Sequence, residues 1–511
     1  TPGIPDLFVG RKVRTVPHPF VETDPGRRVV KALCRLLGDR DDAVRAAATY
    51  AVGLVGRNAP ETCVDGLARR LSDSSAVVRH NAILAIGLLG KPEAAKGLAE
   101  IHAGTAKGAK LLGRDNVTDR ERALAALALG LLRAPDAVDR LVRAGKDDRV
   151  NLEVRAASVS ALGLIDDPRI APVLIDLVER RRTPVQIRAM ALTSLGRLAV
   201  ESGLETIALA LEDRYAEVRR AAVLAAGLAL PQLEARRRDN PLIARAAELA
   251  ERVRRQLAEL AVEDIASVRA LAAVTLGQVG GSENVELVAD LIHDSNRQVG
   301  HLAALGVGLL GRRGRDADRF GELSLLHAFR RASDNQRIAA TAIGLGLYGK
   351  QSAGPEILKR LRPEIEPRLQ AHLSLALGML GHAGASPRVV EALLTVRGAD
   401  AVEDTVLGSA RVGLSPEALA TLRDRATDGN DRREQAHAAS ALAFSGTPDH
   451  LKTVGEFIAS TRVPARYRAF VVVALGRAAD ERAFHPLARL TAGLDYHIAI
   501  GAIDRAMGLK W

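Results

Sequence analysis

Aromatic residues are scarce: Phe, Tyr and Trp make up 3% of the 511 residues, and Trp511 is the single tryptophan. This excludes the rows of stacking rings on which single-strand binders lay bases, and the Tyr- and Trp-rich patches common at binding interfaces. Cysteine is rarer still. Cys34 and Cys63 are the only two, too few for a disulfide framework in so long a chain. Superposed on the repeat period described below, they fall five residues out of register, about 7.5 Å of helix rise, so two buried thiols are expected rather than a bridge. No run is long and apolar enough for a transmembrane helix. Charge of one sign is never massed: 72 Lys and Arg face 61 Asp and Glu, a net +11 spread thinly along the chain. That balance permits a nucleic-acid partner without requiring one.

Recognisable chemistry is also missing. The twelve histidines include no H-E-x-x-H and no pair four residues apart, so no metal site is expected. Gly-x-Ser-x-Gly is absent. Gly306-x-Gly308-x-x-Gly311 and Gly344-x-Gly346-x-x-Gly349 match the dinucleotide fingerprint as strings, but each ends a helical pattern instead of joining a strand to a helix. Gly349-Lys350 approaches a phosphate-binding loop, with Gln351 where Ser or Thr would ligate magnesium. No cofactor and no catalytic residue is expected.

What the chain has is small aliphatics in a repeat. Of the 47% hydrophobic residues, Phe, Trp, Tyr, Met and Cys contribute only 19, and the remainder is Ala, Val, Ile and Leu. A pattern close to V-R-x-x-A-x-x-A-L-G-x-L-G recurs, clearest from Val44-Arg45 to Gly53 and Gly56, and from Val78-Arg79 to Gly87 and Gly90. Taking the first glycine as a ruler gives Gly53, Gly87, Gly130, Gly163, Gly196, Gly227, Gly277, Gly308, Gly346, Gly378, Gly413, Ala443 and Gly476. Such a period signals a repeat architecture. Each unit holds two helical patterns. The first, as in Glu61 to Leu71, carries apolar residues at helical spacing; the second is the V-R motif, stopped by a glycine suited to a left-handed cap. The glycine inside the second helix costs about 1 kcal/mol in propensity, so its recurrence points to neighbouring helices that need a position without a side chain.

The motif resembles that of HEAT-repeat proteins, in particular the bacterial HEAT-like branch similar to phycobilisome-lyase repeats, over roughly residues 27–508. The resemblance implies an all-α, right-handed α-solenoid of about thirteen helical hairpins that binds a partner along a curved face. It implies no reaction. Catalytic HEAT-like hydroxylases hold iron with His-Glu pairs, and no His here is followed by Glu. The Arg of the motif stands as Arg45, Arg79, Arg122, Arg155, Arg188, Arg219, Arg269 and Arg468, several with an acid upstream: Asp39, Asp73, Asp148, Asp213 and Asp264. In HEAT-like proteins such a pairing resembles a ladder between repeats. Repeats eight to twelve, about residues 299–450, carry Gly300, Ile338, Gln370, Thr405 and Gln435 instead.

Three departures from the period are candidate functional regions. Residues 1–26, rich in proline, are expected to form an extended arm ahead of a solenoid over 27–511. An insertion near 102–116 reads as a basic loop with Lys107 and Lys110. Another, near 231–262, carries Arg236, Arg237 and Arg238 before a long helix starting at Asn240-Pro241. Together with Arg180, Arg181, Arg182, Arg312, Arg313 and Arg315, these form the candidate binding residues. A capping helix is expected near Tyr496 to Met507. The expected function is a non-catalytic scaffold binding a protein partner through the solenoid face and irregular loops; the alternative is a nucleic acid or polyanion held along a basic edge.

Overall fold

The structure is a computed structural model that describes residues 23–239, 244–313, 319–397 and 399–479. It is an all-α solenoid of helical hairpins. The described residues fall into two compact units, one of residues 23–198 with 442–479 and one of residues 199–441. In the first lie α1 (Asp24–Leu36), α2 (Asp42–Val55), α3 (Glu61–Arg70), α4 (Ala76–Leu89), α5 (Ala95–Ala103), α6 (Ala106–Leu111), α7 (Asp119–Leu131), α8 (Val138–Lys146), α9 (Leu152–Ile165), α10 (Ala171–Glu179) and α11 (Val185–Leu198). The second holds α12 (Glu201–Ala210), α13 (Ala216–Asp239), α14 (Ala244–Glu263), α15 (Ala266–Val279), α16 (Val285–Asp290), α17 (Arg297–Arg313), α18 (Arg319–Arg331), α19 (Asn335–Tyr348), α20 (Gly354–Arg360), α21 (Pro367–Leu380), α22 (Ser386–Thr395), α23 (Ala399–Val412) and α24 (Pro416–Asp428). α25 (Arg432–Ser445) crosses the boundary, and α26 (Pro448–Ala459) and α27 (Ala465–Ala478) return to the first unit. Among the described residues these helices pair into thirteen hairpins, with α6 supernumerary.

Polar turns set the helix starts. Asp41 accepts hydrogen bonds from the amides of Ala43 and Val44, and Thr118 forms a reciprocal capping box with Glu121; such caps contribute about 1 kcal/mol each. The second helices are buried nearly all round. Every residue of α2 from Ala46 to Val55 is buried, and so is α15 from Ala270 to Gly277. Small side chains make this feasible, since within each unit a second helix such as α4 or α15 packs on the second helix before it, the one after it and its own first helix.

The ruler glycines sit at the tightest points of that packing. A Cβ on Gly53 would lie 2.8 Å from Ala85 Cα, one on Gly87 2.6 Å from Ala128 Cα, and one on Gly130 2.8 Å from Ala161 Cα. Each faces the residue two positions before the next ruler position, so successive second helices are staggered by two residues. The same stagger pairs Gly277 with Gly306, Gly308 with Gly344, Gly346 with Ala376 and Gly378 with Gly408. It also corrects the ruler. Gly408 faces Gly378, so Ala410 is the equivalent residue of that repeat, not Gly413, and Val402 rather than Thr405 stands at its Arg position. Gly413 lies past the end of α23 with φ +75°, at the cap three residues after the ruler. That cap is left-handed at Gly56, Gly90, Gly349, Gly381 and Gly446, and also at Arg133, Asp166 and Ala199. Four repeats omit it: α13 runs on through Pro231 to Asp239, α17 runs on to Arg313, and Gly280 and Ala479 stand at the cap with φ −75° and −86°.

Four further expectations change. Helix α1 begins at Asp24, with Pro25 in its first turn, so the arm stops short of residue 24; residues 1–22 lie outside the described residues, as do Tyr496 to Met507 and the Asn240-Pro241 pair. The insertion near 102–116 is not a loop. Its Ala106–Leu111 segment is helix α6, capped by the Thr105 hydroxyl accepting from the Gly108 amide, and Gly108 lies against the backbone of α5, where a Cβ would sit 2.4 Å from the Glu100 carbonyl oxygen. The irregular stretch near 231–262 is made of two helices, α13 and α14. Finally, Cys34 and Cys63 are joined in a disulfide, with their Cα atoms 4.9 Å apart. Residues at the same point of the repeat do not face one another; α1 and α3 meet in a register of 29, which also brings Gly66 against Leu37. The five-residue offset that argued against a bridge is the stagger of the packing itself.

Candidate partner-docking surfaces

The motif arginines hold the turn of their own hairpin and reach for the next. Arg45 donates from Nη1 to the carbonyls of Asp39 (2.9 Å) and Arg40 (3.0 Å), and from Nε and Nη2 to both carboxylate oxygens of Asp73 at 2.9 Å. Arg219 grips Asp264 in the same bidentate way at 2.6 and 2.7 Å, and Arg269 donates to Asp294 at 2.9 Å. Arg79 lies 3.6 Å from Glu121. Three others stay closer to home: Arg122 donates to the His102 carbonyl and Asp119, Arg155 pairs with Asp148, and Arg188 donates to the Val178 carbonyl. Where arginine is missing, Gln370 and Gln435 donate to the carbonyls of their own turns. Burial would raise the carboxyls of Asp39, Asp73 and Asp264, but the arginine hydrogen bonds, backbone amides and arginine charges outweigh it and hold all three below their ordinary value.

The candidate basic residues do not take equivalent places. Arg180, Arg181 and Arg182 are exposed in the turn joining the two helices of one hairpin, α10 and α11, with Arg180 beside Asp176 at 3.2 Å. Arg236 and Arg312 lie at the far ends of second helices, the opposite end of their hairpins. Arg236 donates to the Ala199 carbonyl at 2.7 Å. Lys107 and Lys110 are exposed on α6. The side chains of Arg237, Arg238, Arg313 and Arg315 lie outside the described residues. Within their own hairpins, Arg236 and Arg312 thus share one end and Arg180, Arg181 and Arg182 take the other.

Arg312 and Arg411 differ from the rest. Both are half-buried, no carboxylate among the described residues pairs with either, and Arg312 Nε is buried without a hydrogen-bond partner among them. Burial, reinforced by the charge of Arg411, pushes the Arg312 guanidinium down to about 10, and burial alone lowers that of Arg411. With Arg197, whose guanidinium burial also lowers, they are desolvated cations for which the described residues supply no counter-charge, places where an anion would be held strongly. Burial also pushes His102 and His437 down to about 4, each ring bonded to a backbone carbonyl, so both are neutral core residues.

Exposed apolar groups gather in the second unit, on its first helices and the turns that follow them. Leu209 (55% exposed), Val262 (53%) and Ile265 (51%) stand out on α12, α14 and the turn after α14, and Ile265 also lines a cleft of about 540 Å³ between α12 and α14, whose walls include Glu212, Glu259, Leu260 and Glu263. Phe320 and Leu323 line a second cleft, between α16 and α18, with Asp290, His293 and His327. A third, between α22 and α24, is lined by Val390, Leu394, Glu391, Glu417 and Glu434. Sequence reasoning missed these surfaces because it looked where the period breaks, whereas two of the three clefts lie between regular repeats. The available signal was Tyr215 and Ile265, large apolar residues at turn positions that are polar or small in most other repeats.

Among the described residues no group of three His, Cys, Asp or Glu side chains is placed to hold a metal ion, and no helix is long and apolar enough to cross a membrane. Among curated proteins none matches the sequence. Solved structures similar in fold include the Escherichia coli protein YibA (16% identity over 53% of this chain and 92% of that one, TM-score 0.34) and the CpcE–CpcF complex of phycocyanin lyase from Nostoc sp. (20%, 54% and 91%, TM-score 0.31). Kap95p, from its complex with RanGDP, is a third (13%, 92% and 69%, TM-score 0.33). The family model for HEAT repeats matches residues 29–108 and 109–186. Residues 29–186 are HEAT repeats by these two matches, and the two-helix period with its buried second helices continues through the described residues that follow.

Proposed function

We propose that the chain is a non-catalytic scaffold that binds a protein partner through the first-helix layer of residues 199–441. The observation that carries this reading is the set of clefts between successive first helices, lined by Ile265, Phe320 and Leu323, with Leu209 and Val262 exposed on α12 and α14. The second helices offer little surface, being buried almost throughout, so a long partner has to lie on the other layer. Apolar groups fringed by carboxylates suit an amphipathic segment with basic flanks.

The test compares the intact protein with a Val262→Asp, Ile265→Asp variant in affinity capture from the native source, washed at low and high salt. A stoichiometric protein retained at high salt by the parent and lost from the variant supports the reading. Equal recovery by both, or recovery of nucleic acid alone that falls away as salt rises, sinks it. The second reading, an anionic ligand, is favoured by the uncompensated Arg312 and Arg411 and is distinguished by loss of binding in Arg411→Met.

A further inference from the structure

Within the first unit the last described hairpin packs on the first. α27 lies against α2, and α26 against α1. A Cβ on Gly476 would sit 2.5 Å from Ala51 Cα, and Ala51 is two positions before Gly53. This is the stagger found between consecutive repeats. Gly455 of α26 comes as close to Val29 of α1, 3.4 Å from Cβ to Cγ2.

The polar contacts repeat the interior Arg–Asp pairing, with the two terminal nitrogens of Arg468 taking the place of Arg45 Nε and Nη2. Arg468 donates to both carboxylate oxygens of Asp39, at 2.6 and 3.3 Å, across 429 residues of sequence. Asp39 also accepts the Asp41 amide at 3.0 Å, while its carbonyl accepts Arg45. Asp73 does the same for its own hairpin: its carboxylate takes Arg45 and the Ser75 amide, and its carbonyl takes Arg79. Arg468 and Asp39 are both largely buried, with side-chain exposures of 9% and 14%, so this is no loose surface pair. Repeat 1 therefore has a predecessor, and the predecessor is repeat 13.

We infer that α26–α27 and α1–α2 form a releasable latch: a complete repeat junction that, unlike every interior one, has no connecting loop. An interior junction that loosens stays tethered by a few residues. This one is held only by its contacts, so it can part while each hairpin keeps its own helices. Parting exposes two complementary faces, and a second copy of the chain carries the matching face for each; exchange of the terminal hairpins between two copies is the expected fate at high concentration.

The experiment uses the full-length chain with Gly476→Leu, which wedges the latch, beside Gly130→Leu, which wedges an interior junction of the same geometry. Hydrogen exchange is followed helix by helix, with helical content by circular dichroism and mass by light scattering. For Gly476→Leu, exchange in residues 42–55 and 465–478 rises by about tenfold or more, helical content and the protection of α9 and α11 are retained, and a dimer grows with concentration. Gly130→Leu instead loses protection on both sides of its junction and gives no such dimer. The milder Arg468→Ala accelerates the same two segments to a smaller extent, which keeps the test decisive should the leucine variant fail to fold. Unchanged exchange of residues 42–55 in both seam variants overturns the latch, as does loss of α9 and α11 protection in Arg468→Ala.

Discussion

Junctions near the start of the chain and those in its middle hold the same geometry by different means. In the first, a buried Arg–Asp pair spans the repeats, and the ruler glycine meets an alanine, as at Gly53 and Ala85. Between α17 and α19, and between α21 and α23, no motif arginine remains; there glycine meets glycine, Gly308 on Gly344 and Gly378 on Gly408, and a Cβ would fall 2.4 and 2.5 Å from the facing carbonyl oxygen. One solution holds the turns with charge and leaves room for a methyl group. The other removes the side chains from both helices and lets the backbones touch. The two can also coincide, as at α15–α17, where Arg269 holds Asp294 and Gly277 meets Gly306, while at α19–α21 Gly346 meets Ala376 with no motif arginine.

The largest expected effect tests the glycine fastening. Gly308→Leu drives a side chain into the Gly344 backbone, which cannot yield, and lowers stability by about 3 kcal/mol, seen as a fall in the denaturant midpoint. Next comes the charged fastening: Asp73→Ala leaves Arg45 and Arg70 around a void without their carboxylate and costs about 2 kcal/mol, read the same way. The comparison sharpens with acid. Asp39, Asp73 and Asp264 titrate below their ordinary value in the folded chain, so their contribution is fully present above the unfolded carboxylate pKa of about 3.9 and is lost as pH falls through the lower folded values. Below about pH 4, hydrogen exchange should quicken at α2–α4 and α13–α15 before it does at α17–α19; simultaneous loss would break the distinction. The smallest effect is a gain: Arg411→Met removes a desolvated charge without a partner and raises stability by about 1 kcal/mol, measured by thermal unfolding.

Much of this was legible in the sequence because the repeat rule is local. The two-helix period, the ruler glycines and the caps all follow from spacing. The stagger between helices does not, because it is a property of packing, and each misreading traces to it. Cys34 and Cys63 were compared at equal repeat positions when the facing register is 29; Gly413 passed for a ruler because Ala410, three residues earlier, carries no glycine signal; and Asp39 was read with Arg45 alone, when its carboxylate belongs to Arg468, 429 residues away. The clefts between first helices were hidden for a different reason. Their walls are ordinary amphipathic helix positions, and only the gap between neighbours makes Ile265, Phe320 and Leu323 a surface.

The left-handed caps carry a consequence for engineering. Nine of the described repeats end the second helix in that conformation, yet Arg133, Asp166 and Ala199 adopt it at φ 55°, 64° and 46° without being glycine. A side chain costs about 1 kcal/mol there. Ala199→Gly removes that strain at a site that faces no cleft and bears no charge, so the chain holds a reserve of thermal tolerance that evolution has left unspent and a designer can collect one residue at a time.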